Sequence, residues 1–137
     1  MESPRIDALL SAFEKRPPAS EELIRQAEAT LGVVLPTDYR TFLSSSNGGE
    51  GPVGEHGYLH LYPIEEIVQI RADYTFDEAC PRLVPIGTNL GGTAYCFGTN
   101  GLSGFYGCEF MDASEEDARH AGSTFLEMLD YIGSGVQ

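Results

Sequence analysis

Apolar residues recur along this chain with two different periods, and the change from one to the other marks out the elements. Ile6, Leu9, Leu10 and Phe13 fall on one side of a helix that Ser3 caps and Pro4 opens, and that must end before Pro17-Pro18. A second helical set, Leu23, Ile24, Ala27 and Leu31, follows the N-cap residue Ser20, and Glu21 and Glu22 complement the positive end of its dipole. It is expected to stop at Gly32, which can take the left-handed capping conformation without a Cβ penalty. Pro36 pushes Leu35 out of the helical region, so the chain turns there. A third helix then begins, with Tyr39, Phe42 and Leu43 as a narrow stripe. Asn47-Gly48-Gly49 reads as its stop, because both residue types tolerate left-handed backbone angles.

The segment 47–57 holds five glycines and one proline and is expected to be an irregular surface loop. The period then shortens to two over 58–62, with Leu59 and Leu61 on one face and Tyr58, His60 and Tyr62 on the other. Pro63 opens a helix with Ile64, Ile67, Val68 and Ile70 inward, running to about Tyr74. Strands are predicted over 83–86, 94–97 and 104–110, the last two joined by a turn whose Asn100-Gly101 is a hairpin signal. A solvated acidic loop over 112–117 precedes a final helix from about Ser123, in which Phe125, Leu126, Met128, Leu129 and Ile132 are available to cover the sheet. Helices gather at the two ends and strands in the middle. The expected fold is therefore α+β, a small, mainly antiparallel sheet covered by N-terminal and C-terminal helices. With 137 residues and no repeat or linker, the chain reads as one domain over 1–137.

The order Leu35-Pro36, Asp38-Tyr39, Phe42-Leu43 and Asn47-Gly48-Gly49, in this register, resembles the SUKH superfamily, the Smi/Knr-type group. The likeness continues through the strand around 59–62, Leu83-Val84-Pro85-Ile86-Gly87, the Gly91-Gly92 loop, the strand over 94–97 and the Ser123-Phe125-Leu126 helix. The family loop after Pro-Ile-Gly usually carries aspartates and glycines; here it reads Thr88-Asn89-Leu90-Gly91-Gly92-Thr93. The signature residues Leu35, Pro36, Tyr39, Phe42, Asn47, Gly48 and Gly49 have a plain architectural reading: helix break, core contact and chain reversal. For bacterial members the resemblance implies an immunity protein that binds and neutralises a cognate toxin, often a nuclease. Fungal relatives are regulatory interaction proteins, which supplies the alternative of a scaffold module unconnected to any toxin.

Charge sharpens that expectation. The chain carries 8 basic and 21 acidic residues, net −13; residues 1–40 hold 5 basic and 7 acidic groups, net −2, which leaves −11 for residues 41–137. Such a field repels phosphate backbones, which argues against direct nucleic-acid binding, and attracts a basic protein. A nuclease is usually basic because its substrate is polyanionic, so an acidic binder can mimic that substrate and be steered to it. Acidity also serves solubility alone. The carboxylates expected to meet a partner are Glu50 and Glu55 in the glycine-rich segment, Asp73, Asp77 and Glu78 after the fourth helix, and Asp112, Glu115, Glu116 and Asp117 in the late loop.

Reactive constellations are missing from the sequence pattern. Gly87-Thr88-Asn89-Leu90-Gly91-Gly92 lacks the GxGxxG spacing and has no lysine to hold a phosphate. His56, His60 and His120 with Cys80, Cys96 and Cys108 form no CxxC or HExxH spacing, and Gly101-Leu102-Ser103-Gly104 misses the nucleophile elbow by one residue. The expectation is a non-enzymatic protein with no catalytic set, cofactor or metal. Three cysteines without close pairing suit reduced thiols, and Cys96 and Cys108 lie on strand-like segments where buried, inert sulfur is expected. No run approaches the ~20 apolar residues that cross a bilayer, and the opening residues lack a signal-peptide core, so a cytoplasmic setting is expected.

Overall fold

The computed structural model describes residues 4–74, 76–111 and 113–134, excepting the Asp77 side chain. The expected cap Ser3 lies outside them. In chain order the elements are α1 (Pro4–Leu9), β1 (Glu14–Lys15), α2 (Glu21–Leu31), α3 (Thr37–Leu43), β2 (Gly49–Val53), β3 (Gly57–Leu61), α4 (Ile64–Asp73), α5 (Phe76–Ala79), β4 (Leu83–Thr88), β5 (Thr93–Gly98), β6 (Phe105–Glu109), β7 (Arg119–Gly122) and α6 (Phe125–Gly133). All seven strands join one sheet in sequence order, each antiparallel to the next. This is the α+β arrangement that the sequence predicts, with helices flanking an antiparallel sheet.

Local signals set α2 as read. Ser20 accepts a hydrogen bond from the Leu23 N–H at 3.1 Å, and Gly32 closes the helix at φ 71°. The rings of α3 then meet α6 and the sheet: Phe125 packs 5.2 Å from Phe42, 5.7 Å from Tyr39 and 6.1 Å from Phe105, centroid to centroid. Leu59, Leu61, Val84, Ile86, Tyr95 and Phe97 complete this main core from the strands, and Ile64 and Ile67 from α4. The other sheet face buries a smaller cluster, in which α5 supplies Phe76, the adjoining turn Cys80, and β5 and β6 supply Ala94, Cys96 and Cys108.

Two expectations are corrected. The first helix ends at Leu9, and Phe13 is buried outside it, because the chain extends at Glu14–Lys15 to pair with Gly49 and Glu50. The segment 47–57 is not irregular: β2 pairs with β3 over five residues from Gly49↔Leu61 to Val53↔Gly57. Glycine is required there by crowding, since a Cβ on Gly49 (φ 143°) would stand 2.5 Å from the Phe13 ring and 2.8 Å from the Glu14 carbonyl. Tyr62 keeps the side of His60 that the alternation gives it, standing 5.3 Å from that ring, and is buried just past the end of β3.

Asn47 also has a different task from stopping a helix. Helix α3 ends at Leu43 with Ser44 in an ordinary right-handed conformation, so it needs no left-handed residue. Asn47 instead accepts from the Ile64 N–H at 2.8 Å and donates to Glu65 at 2.8 Å, capping α4, whose own N-cap position is Pro63 and offers no side-chain acceptor. Asp38 does the same service for α6, accepting from the Phe125 N–H at 2.7 Å across 87 residues. Two signature positions thus fix the starts of two distant helices. Next to Asn47, Gly48 (φ 85°) lets the chain pass so close to Leu61 and Tyr62 that a Cβ would meet backbone at 2.5–2.9 Å.

Candidate functional site

The open part of the second sheet face, beyond the cover of α5, is where polar and aromatic side chains converge. Strand β3 points Tyr58 and His60 to this side while Leu59 and Leu61 are buried on the other. Glu50, paired with His60 across β2 and β3, accepts from the Tyr58 hydroxyl at 2.6 Å and lies 3.0 Å from His60 Nδ1. The Tyr58 hydrogen bond, followed by that of His60, holds the Glu50 carboxyl below its usual value. His60 stands edge-on to Tyr62 at 5.3 Å, and Tyr74 stands edge-on to Phe110 at 4.4 Å. Burial raises the Tyr62 hydroxyl, and the charges of Tyr74, Cys96 and Glu66 add to that rise.

These rings line an open trough of about 360 Å³ whose rim includes Leu90 and Met111. Tyr58, Tyr74, Leu90 and Met111 are 39%, 40%, 62% and 79% exposed, and they make up most of the large apolar and aromatic side chains that the described residues leave to solvent. Leu90 is held there by its loop. It sits at φ 64°, a left-handed conformation that disfavours a non-glycine residue by roughly 1–2 kcal/mol. Hydrogen bonds lock it: Thr88 Oγ1 accepts from the Leu90 N–H at 3.1 Å, and Asn89 Oδ1 accepts from the N–H groups of Gly91 and Thr93 at 2.8 and 3.1 Å.

The carboxylates expected from the sequence to meet a partner do not gather in one place. Glu50 belongs to the aromatic face just described. Asp73 ends α4 immediately before Tyr74 and accepts from Gln69 at 2.7 Å. Glu55 is exposed in the β2–β3 turn, where the neighbouring Gly54 packs against Leu9 and Gly133. Glu78 is exposed on α5, and Glu116 and Asp117 are exposed in the turn before β7. Glu115 is bound to Arg82, accepting from its backbone N–H at 2.8 Å and its Nε at 2.9 Å, and these bonds hold its carboxyl below the usual value, the backbone one foremost. The Asp77 side chain and Asp112 lie outside the described residues.

Sequence reasoning missed the trough as a unit. Its legible signal was the side of the 58–62 alternation that carries His60 and Tyr62; Leu90 and Met111 gave none, because their exposure follows from loop geometry. Chemistry elsewhere is sparse. Among the described residues no three His, Cys, Asp or Glu side chains are placed to share a metal ion. Cys80, Cys96 and Cys108 are buried free thiols; burial pushes Cys80 up to about 11 and Cys96 well above its usual value. No helix of the described residues is long and apolar enough to cross a membrane.

A search of curated proteins finds no match to this chain. The sequence profile of the SMI1 / KNR4 family (SUKH-1) matches residues 18–131, which takes in α2, the signature corner, the sheet from β2 to β7 and most of α6. The chain belongs to the SMI1 / KNR4 family (SUKH-1).

Proposed function

We propose that this protein is a non-enzymatic, immunity-type binder that neutralises a basic, nuclease-like toxin in the cytoplasm, acting as a single domain over 1–137. The observation that carries the reading is the surplus of exposed carboxylate on a member of this family. Arg5, Arg25, Arg40 and Arg82 are each committed to ion pairs within the chain, with Asp130, Glu21 and Glu115 among the partners. Among the described residues, Glu22, Glu55, Glu66, Glu78, Glu109, Glu116 and Asp117 are exposed acids that make no ion pair with a basic side chain. A field of that sign speeds capture of a cationic protein and opposes binding to nucleic acid.

The test is to ask whether an adjacent reading frame encodes a toxin domain, to co-express that domain with this chain, and to follow association by stopped flow at graded salt. Restored growth and an on-rate that falls steeply with ionic strength are expected. Glu116→Lys with Asp117→Lys slows association and flattens the salt dependence while the fold is retained. Growth arrest unrelieved by co-expression refutes neutralisation and favours the alternative, a regulatory interaction module.

A further inference from the structure

We infer that the aromatic trough on the open sheet face is the docking surface, and that its occupant is a segment of a basic protein partner in which arginine alternates with apolar side chains. The inference rests on the partner-binding reading above and supplies the surface that reading leaves open. Three features converge on it. Leu90 is projected into solvent in a strained backbone conformation that its loop maintains with three hydrogen bonds, and such strain, kept at an exposed apolar residue, has no role in packing the core. Met111, almost fully exposed across the same trough, is an unbranched and polarizable side chain suited to an apolar contact of variable shape.

The third feature is charge. The lining of the trough contains no lysine or arginine, while Glu66 and Asp73 stand on α4 near Tyr62 and Tyr74, and Glu50 stands behind His60. Lys15 and Arg16 line the adjoining groove with Glu50, and that groove meets the trough at His60. Glu50 accepts one bond from Tyr58 and one contact from His60, which leaves acceptor capacity on its carboxylate for an incoming guanidinium. The exposed ring of Tyr74 offers a stacking surface that favours arginine over lysine. Apolar side chains of the partner would seat between Leu90 and Met111, the geometry of a desolvated anchor inside a polar rim.

Three synthetic peptides test this against the full chain by amide NMR titration: one alternating arginine with leucine and phenylalanine, one with serine for the apolar residues, and one with glutamate for arginine. The first is expected to shift the amides of His60, Thr88, Leu90, Gly92 and Met111. The Leu90→Lys, Met111→Lys double variant weakens that binding about tenfold, the scale of losing an interface anchor. Val34→Lys, a change at an exposed apolar residue outside the trough, leaves it within about twofold. Each variant's otherwise unchanged spectrum verifies its fold. If the serine peptide binds equally well, or if the shifts map to residues 114–117, the docking surface is refuted while the basic-partner reading stands. Failure of both cationic peptides to bind, or binding of the glutamate peptide instead, overturns that reading as well.

Discussion

Asn47 receives the Ile64 N–H at 2.8 Å from a position 17 residues earlier in the chain, so its replacement by alanine isolates a helix cap built by tertiary structure. Ile64 is fully buried, and its N–H, at the first turn of α4, would have no acceptor left. An unsatisfied buried donor costs roughly 1–3 kcal/mol, and loss of an N-cap typically about 1 kcal/mol. The two describe overlapping effects, so the expected loss for Asn47→Ala is about 2–3 kcal/mol. With a urea slope of ~2 kcal/mol per molar, the unfolding midpoint falls by about 1–1.5 M at unchanged slope. Asn47→Asp keeps an acceptor and should lose less than half as much, although it ends the donation to Glu65. Glu65→Gln, at an exposed position, should change stability by no more than about 0.5 kcal/mol. A midpoint shift below ~0.3 M for the alanine variant would refute the capping argument.

Leu90→Gly should raise the thermal midpoint by ~2–4 °C in a calorimetric scan, because relief of the left-handed strain outweighs the added freedom of the unfolded chain; an unchanged or lower midpoint contradicts stored strain. Glu115→Gln tests linkage. The wild-type carboxyl is held below its ordinary value of 4.5, so its stabilisation is present above that pH and is lost as pH falls through the lower folded value. The variant should therefore be less stable at pH ~7 and converge on wild type only once pH has fallen below the depressed folded value, in acid-titrated urea melts; a gap that does not narrow on acidification sinks the assignment. All three thiols should resist iodoacetamide at pH ~8 in the native state and react in urea, as read by mass spectrometry, since they are buried and Cys80 is raised to about 11. Rapid native labelling of Cys80 would show that the α5 cover opens.

Local chemistry made much of the fold legible. Ser20 and Gly32 bracket α2 through contacts within a few residues, Pro36 forces the break before α3, and the alternation over 58–62 reports which β3 side chains face the core. The Asn100-Gly101 turn is equally local: both residues have positive φ and the Leu102 N–H returns to the Thr99 carbonyl at 3.1 Å. The carboxylates were legible as a charge total, because total charge needs only composition. Their positions were not, and Glu115 illustrates why: its partner Arg82 lies 33 residues away.

By itself, then, the sequence determined helices α2, α3, α4 and α6, the α+β class, the strongly acidic character and the corner motif that marks the family, since each is written in short-range spacing or in composition. Tertiary structure alone decided that a glycine-rich stretch becomes strand β2, because only the arrival of Phe13 and β1 on one side and β3 on the other makes its missing side chains necessary. It also decided that Asp38 and Asn47 cap helices far along the chain, and that Tyr58, Tyr74, Leu90 and Met111 are left exposed along one open face. Those outcomes depend on which distant segments meet, and no local period or propensity encodes a meeting between residues that the chain keeps apart.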